Sequence, residues 1–227
     1  MKRNHYRLLA ALFEYPDADY PQRVGEIKTF LDGRYAKAGA ELDRFLAFLP
    51  AHDLMTMQEL FTRSFDVQAV TTLDIGYVLF GDDYKRGEML ANLNREHNEA
   101  GLDCGTELAD YLPNILRLMA ALEDEELIHD LANEIIAPAL RDMTGEFDPG
   151  RVEKRNVSYK KHYKTLIENP AVQSEAVTLY QFALKTLYQV LKQDFALIET
   201  IPLKVTSDFL TSVGRENEIE ESANMQY

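Results

Sequence analysis

Apolar residues recur along most of the chain at the three- and four-residue spacing of helices that bury one face. The chain is rich in Leu, Ala, Glu and Lys, which favour helices, and few stretches alternate as strands do. The predicted helices cover residues 4–14, a segment from 21, 38–49, 53–65, 83–99, a segment from 113, 125–143 and 169–195. We therefore expect an all-α, single-domain bundle of about eight to ten helices.

Three apolar stripes follow the period of one helix face and are expected to be buried. The first consists of Leu54, Met57, Phe61 and Phe65. The second consists of Leu108, Leu112, Ile115, Leu116, Met119 and Leu122. The third consists of Val172, Ala176, Leu179, Ala183, Leu187 and Val190.

Prolines and glycines predict where these helices are interrupted. Pro113 predicts a short turn followed by a regular helix, because proline removes a backbone donor. For the same reason Pro138 predicts a kink, and residues 144–149 are expected to turn. Gly101 should end the helix before it, since glycine readily adopts a left-handed conformation.

Two further segments carry local signals. Gly76 and Gly81 interrupt the apolar residues between 66 and 83, which predicts a loop with one short helix. Asn169 and Pro170 are typical of the cap and first turn of a helix.

No linker rich in Pro, Gly or Ser divides the chain, so we expect one domain over residues 1–213. Residues 214–227 are acidic, and we expect a disordered tail. No apolar stretch approaches the roughly 20 residues of a transmembrane helix, so direct membrane insertion is not expected. The apolar run within residues 1–13 is too short for a signal peptide, and Cys104, the single cysteine, fits a reducing compartment. The predicted location is the cytoplasm.

The charge balance narrows the function classes. The formal net charge of −14 argues against a nucleic-acid partner, because phosphates require a basic face. An acidic surface suits basic partners, or serves solubility alone. Residues 151–164 are an exception, with six Lys or Arg against one Glu. They form either a docking site for an acidic partner or a solvated segment between helices.

Common catalytic motifs are absent from the sequence, including HExxH, GxSxG, the Walker loop and GxGxxG. Glu126 and His129 form a single Glu-x-x-His pair, whereas di-iron helical bundles use two such pairs. We predict that the protein is not an enzyme and holds no metal or cofactor. A carboxylate-metal helical enzyme is the alternative.

Arg86 shares one face of its predicted helix with four less polar residues. These residues are Met89, Leu90, Leu93 and His97. A guanidinium on such a face must pair with a carboxylate or emerge at the edge of a groove. A buried Arg–Asp pair that clamps the preceding loop and a direct contact with a ligand both fit this pattern.

Several short motifs resemble those of a known family. Leu8-Leu9 and Tyr15-Pro16-Asp17 are similar to its LL and YPD start. Phe65-Asp66 and the GDDYKRG sequence at 81–87 resemble its FD and GD-x-x-x-RG signature. ELADYLP at 107–113 resembles its ELPDYLP element, with Ala109 in place of the proline. Over about the first 145 residues, the chain thus resembles the nitrate reductase delta subunit-like and TorD-like assembly chaperones of molybdenum oxidoreductases.

This resemblance implies a TorD-like helical fold and a chaperone of the cytoplasm. Its partner would be the N-terminal segment of an apo catalytic subunit, held ready for insertion of the molybdenum cofactor before assembly or export. Thr72 to Ile75 and Tyr77 depart from the SLHL and histidine that the family often has in this region. A nitrate reductase and another enzyme of the same molybdenum class therefore fit equally well as the client.

We expect the client peptide to lay an apolar face in a groove between helices, with acidic residues at the rim. The candidate rim residues are Asp66, Asp82, Asp83, Glu107 and Asp110. The candidate floor residues are Tyr84, Tyr111 and Leu112, with Arg86 as an internal clamp. A structural subunit that stays in the mature complex is a further alternative, and the sequence does not determine whether two copies form a homodimer.

Overall fold

Ten α-helices lie wholly within residues 3–154 and 178–197, the part of the chain that the computed structural model describes. They are α1 (His5–Ala10), α2 (Tyr20–Asp32), α3 (Ala36–Phe48), α4 (Leu54–Phe65), α5 (Ile75–Phe80), α6 (Tyr84–Glu99), α7 (Leu112–Ala121), α8 (Glu125–Asp130), α9 (Ala137–Glu146) and α10 (Tyr180–Asp194). A 3₁₀ turn, Ala11–Phe13, follows α1, and residues 149–154 are also helical. No β-strand occurs in these ranges. The predicted all-α bundle is confirmed.

Aspartates begin three of the helices by accepting hydrogen bonds from free backbone N–H groups of the first turn. The Asp53 carboxylate accepts from the Thr56 N–H at 3.0 Å, and Asp83 accepts from the Lys85 N–H at 2.9 Å. Asp124 accepts from two N–H groups at the start of α8. At the other end of α6, Gly101 has a φ of +66°, which confirms it as the terminator.

Buried aromatic rings join α3, α4 and α10. The Tyr180 ring is fully buried and meets Phe45, Phe61 and Phe65 edge-on, with centroids 5.4, 5.5 and 5.0 Å away. Such edge-to-face pairs add to the burial of apolar area. α10 also packs on α9, and α1 packs on α7. All described helices belong to one compact unit that ends at residue 197.

Most of the predicted buried stripes are confirmed, with three exceptions. Leu108 is 50 % exposed because it precedes α7, which begins only at Leu112. Leu54 is 39 % exposed because it is the first residue of α4, and Leu122 is only partly buried because it follows α7. In the third stripe, Val172 and Ala176 lie outside the described residues.

Pro138 was predicted to kink its helix, and the structure shows a π-helical segment, Leu131–Ile136, just before it, between α8 and α9. The Ala137 N–H donates to the Ala132 carbonyl, five residues earlier. The wider turn comes directly before the proline, which has no N–H and crowds the preceding turn. The turn predicted from residue 144 begins later, because α9 continues to Glu146.

A polar cluster connects the start of the described chain with its last helix. The Asp194 carboxylate accepts hydrogen bonds from the Tyr6 hydroxyl at 2.8 Å and the Tyr35 hydroxyl at 2.9 Å. His5 Nε2 lies 2.7 Å from the same carboxylate. Burial alone would raise the pKa of Asp194, but these three hydrogen bonds outweigh it and hold that pKa below the usual value.

Several predictions concern segments that lie outside the described residues. These are the helix start at Asn169 and Pro170, most of the basic segment 151–164, and the acidic tail 214–227. Within the described ranges, no helix combines the length and the apolar character that crossing a membrane requires.

Candidate functional site

Arg86 lies at the centre of a cluster that joins distant parts of the sequence. Its Nε donates to Asp110 Oδ2 at 3.0 Å, and its Nη2 donates to Asp74 Oδ2 at 3.1 Å. The Asp110 side chain is fully buried, whereas that of Asp74 is 31 % exposed. Of the two arrangements that the sequence left open for Arg86, the structure shows the pairing with aspartate, and its partners come from the segments before α5 and α7.

Backbone hydrogen bonds hold those two segments side by side. The Ile75 N–H donates to the Asp110 carbonyl at 3.0 Å, and the Leu112 N–H donates to the Leu73 carbonyl at 2.8 Å. They form an isolated antiparallel bridge, so α5 and α7 begin from a shared short ladder. This ladder fixes the position of Asp110 relative to Asp74.

Gly76 makes room for the ion pair. A Cβ built on Gly76 would lie 2.6 Å from Asp110 Oδ2 and 3.2 Å from Arg86 Cγ. The first distance is too short for any real Cβ contact, so only glycine allows the carboxylate and the guanidinium to approach here.

The cluster contains more negative than positive charge. One guanidinium faces two carboxylates, and Asp110 Oδ1 is buried without a hydrogen-bond partner. Burial, and then the negative charge of Asp110, raise the pKa of the Asp74 carboxyl more than Arg86 lowers it. Arg86 therefore neutralises only part of the negative charge of the cluster. Asp110 depends on it more than Asp74 does, because Asp110 is buried and Asp74 is partly exposed to water.

Phe13 and Glu14, which directly precede the YPD motif, reach the same region. The Tyr111 hydroxyl donates to the Phe13 carbonyl at 3.3 Å, and Arg117 forms an ion pair with Glu14. Arg86 also stacks near the ring of Tyr77, which is 45 % exposed, with 5.3 Å between Cζ and the ring centroid. Segments around residues 13, 74, 86 and 110 thus meet at one place in the fold.

Two candidate residues need correction. Asp110 was predicted at the rim of a surface cleft, but it is fully buried because it neutralises Arg86 from inside. Leu112 was predicted on the cleft floor, but it is fully buried because it is the first residue of α7 and packs in the core. Tyr111 is partly buried, and burial raises the pKa of its hydroxyl.

The remaining candidates are exposed at separate places. Asp66 follows α4, Asp82 precedes α6, and Glu107 precedes α7. Within the described ranges, no hydrogen bond joins Asp66 or Asp82 to the other candidates. Asp83 is exposed and caps α6, and Tyr84 is 77 % exposed. Their role in binding a peptide stays a prediction.

A groove of about 620 Å³ lies between α6 and the wall formed by α8 and the π-helical segment. Its apolar lining consists of Phe80, Met89, Leu93, Leu127, Leu131 and Ile135. Tyr84 also lines the groove, but it is 77 % exposed, and its place on the floor of a peptide site stays a prediction. The other lining residues were missed, although the four-residue spacing of Leu127, Leu131 and Ile135 marks a helix face in the sequence.

The alternative of a carboxylate-metal enzyme requires a set of metal ligands, and the described residues offer none around Glu126 and His129. Glu126 and His129 are both exposed on α8, and Asn133 donates to the His129 carbonyl at 2.8 Å. No group of three or more His, Cys, Asp or Glu residues that could hold a metal ion occurs in the described ranges.

His97 is a buried polar residue near the end of α6. It is 2 % exposed, and neither ring nitrogen has a hydrogen-bond partner. Burial lowers the pKa of its imidazole because the charged form loses its hydration. Burial of His97 therefore favours the neutral imidazole over the charged form.

No protein-family model matches the chain, and no curated protein matches it. The resemblance to the chaperone family rests on the motif residues alone.

Proposed function

We propose that the protein is an assembly chaperone of a molybdenum oxidoreductase. It binds the N-terminal segment of the apo catalytic subunit and supports insertion of the molybdenum cofactor before the enzyme is assembled or exported. The protein itself forms and breaks no covalent bond in this role.

The observation that supports this proposal best is the ion pair between Arg86 and Asp110. Arg86 belongs to the GDDYKRG motif and Asp110 to the ELADYLP motif, 24 residues apart. The FD and YPD motifs come before these in the same order as in the family that the chain resembles. Since the ion pair joins the GDDYKRG and ELADYLP motifs, the two motifs form one structural unit. We take this as support for a common origin of the two motifs rather than a chance match of each.

The surface adds a second line of support. Asp66, Asp82, Asp83 and Glu107 are exposed on a chain whose net charge is −14. Such a surface attracts basic segments and speeds their association, and an apolar groove holds the uncharged face of an amphipathic helix. The groove beside α6 offers that apolar contact.

Calorimetry with synthetic N-terminal peptides of molybdenum catalytic subunits tests the proposal. We expect one peptide class to bind, with an affinity that falls as salt is added and falls again for Asp82→Asn with Asp83→Asn. The double substitution keeps the start of α6, since asparagine caps a helix about as well as aspartate. Asp19→Asn with Glu26→Gln removes two exposed charges near α2 and is the matched control. Failure of every such peptide to bind contradicts the proposal.

Co-purification separates a chaperone from a structural subunit of the mature complex. A chaperone associates with the catalytic subunit that lacks its cofactor and is absent from the loaded enzyme. A structural subunit stays with the loaded enzyme in fixed stoichiometry. The second result would replace the proposed function by a structural one.

A further inference from the structure

The helical wall formed by α8 and the π-helical segment carries three stripes at four-residue spacing. The first faces the core and is fully buried: Ile128, Ala132 and Ile136. The second lines the groove: Leu127, Leu131 and Ile135. The third is exposed and acidic: Glu126, Asp130 and Glu134. Each acidic residue directly precedes a groove residue, so the acidic stripe runs along the edge of the groove.

Glu125, the first residue of α8, pairs with Arg3, but the acidic stripe itself is not neutralised in the described part of the chain. No Lys or Arg occurs between Arg117 and Arg141. Among the described residues, no ion pair involves Glu126, Asp130 or Glu134. Carboxylates that follow one helix at this spacing repel one another, and a cation from outside relieves that repulsion.

The opposite wall, on α6, is nearly balanced in charge. Arg95 pairs with Glu96 at 3.1 Å, which leaves Lys85 and Glu88 as one charge of each sign. The groove therefore has an apolar floor, one acidic edge and one neutral edge. A ligand that fits it carries positive charge along one side only.

We propose that this groove binds a basic amphipathic helix, whose apolar face contacts Leu127, Leu131 and Ile135 and whose Lys or Arg residues contact Glu126, Asp130 and Glu134. The inference deepens the proposed function and rests on it, since the occupant is the N-terminal segment of the catalytic subunit. It adds an acidic edge on α8 to the exposed carboxylates Asp82 and Asp83 at the start of α6. The stripe extends over about 12 Å, so the bound helix has at least two to three turns.

Three variants test this site. Glu126→Gln with Asp130→Asn and Glu134→Gln removes the acidic stripe and keeps its shape. Leu127→Lys places a charge in the groove at a partly buried position. Asp19→Asn with Glu26→Gln and Glu153→Gln removes three exposed charges elsewhere and is the matched control. Thermal unfolding of each variant establishes that it is folded.

Two probes are titrated into each variant by calorimetry. One is the set of N-terminal peptides of molybdenum catalytic subunits, and the other is an amphipathic Leu/Lys peptide of about 18 residues, or about five turns. We expect the stripe variant to bind about tenfold more weakly than the control, as three partly screened ion pairs suggest. Leu127→Lys should bind more weakly still. Hydrogen exchange should slow in residues 84–96 and 126–135 when peptide is bound.

The outcomes separate this inference from the proposed function. If catalytic-subunit peptides bind the stripe variant and the control equally, the groove is not their site, and only the inference is overturned. If no such peptide binds wild type, the proposed function is overturned, and the Leu/Lys peptide then decides on the groove. If the Leu/Lys peptide binds wild type but not the stripe variant, the groove binds basic amphipathic helices as proposed. If the peptide binds both proteins equally, or binds neither, this inference is overturned.

Discussion

Gly76 and Asp110 lie so close that a single added methyl group cannot fit between them. A Cβ on Gly76 would lie 2.6 Å from Asp110 Oδ2, the same oxygen that accepts the hydrogen bond from Arg86. The absence of a side chain at one position thus allows an internal ion pair at another.

The first prediction follows from this contact. Gly76→Ala should lower the free energy of unfolding by about 1–3 kcal/mol, because the new methyl group must displace the ion pair. Gly87→Ala is the matched control, since nothing lies within 4 Å of a Cβ built there and alanine favours the helix interior. Urea unfolding should find Gly87→Ala unchanged or slightly more stable. Equal effects of the two substitutions would contradict the role assigned to Gly76.

The second prediction concerns the dependence of Asp110 on Arg86. Arg86→Met should cost about 3–5 kcal/mol, because it leaves a buried carboxylate without a counterion. Arg86→Met combined with Asp110→Leu should regain much of that loss. Asp74→Asn should cost far less, since Asp74 is partly exposed and its pKa is already raised. Unfolding in urea measures all three, and a small effect of Arg86→Met alone would argue against the clamp.

The third prediction is a pH dependence from His97. Its pKa is lowered by burial in the folded state, so the unfolded state binds a proton first as the pH falls. The free energy of unfolding should therefore decrease as the pH falls from about 7 through the ordinary histidine value near 6.5. His97→Leu, which keeps the apolar face, should remove this part of the decrease. Thermal unfolding between pH 7.5 and 5 provides the measurement, and an unaltered profile in His97→Leu would refute the assignment.

The fourth prediction concerns Asp194, whose effect on stability appears at a lower pH than that of His97. The pKa of Asp194 is lower in the folded state, so its stabilising contribution is complete above the unfolded value near 3.8 and is lost as the pH falls through the folded value. Asp194→Asn should cost about 1–3 kcal/mol at pH 7. Its difference from wild type should shrink below about pH 4. Asp19→Asn, at an exposed position, is the control and should show no such convergence.

Several helix boundaries could be predicted from the sequence, because they are set by residues that are close together along the chain. Asp53 and Asp83 supply carboxylates to the first turns of α4 and α6, and Gly101 supplies the left-handed residue after α6. Burial at the ends of the apolar stripes was predicted less well. Leu54 and Leu108 fit the helical period, but tertiary packing does not cover them.

The site was accessible only in part. The position of Arg86 on an apolar face left a buried Arg–Asp pair and a ligand contact open, and the structure shows the pair. The sequence could not predict that Asp110 turns inward, because the reason is the Leu73–Leu112 ladder and the space above Gly76. The groove requires α6 to face α8 and the π-helical segment, which no local pattern encodes.

The carboxylate of Asp194 has a further consequence for how the chain reaches its native state. Its three donors, His5, Tyr6 and Tyr35, leave the ribosome early, whereas the acceptor is synthesised about 160 to 190 residues later. Helices near the amino end can form as they emerge, but their polar anchor is missing until α10 arrives. In a nascent chain that ends before α10, these three donors therefore lack their acceptor, although α1 can already pack on α7.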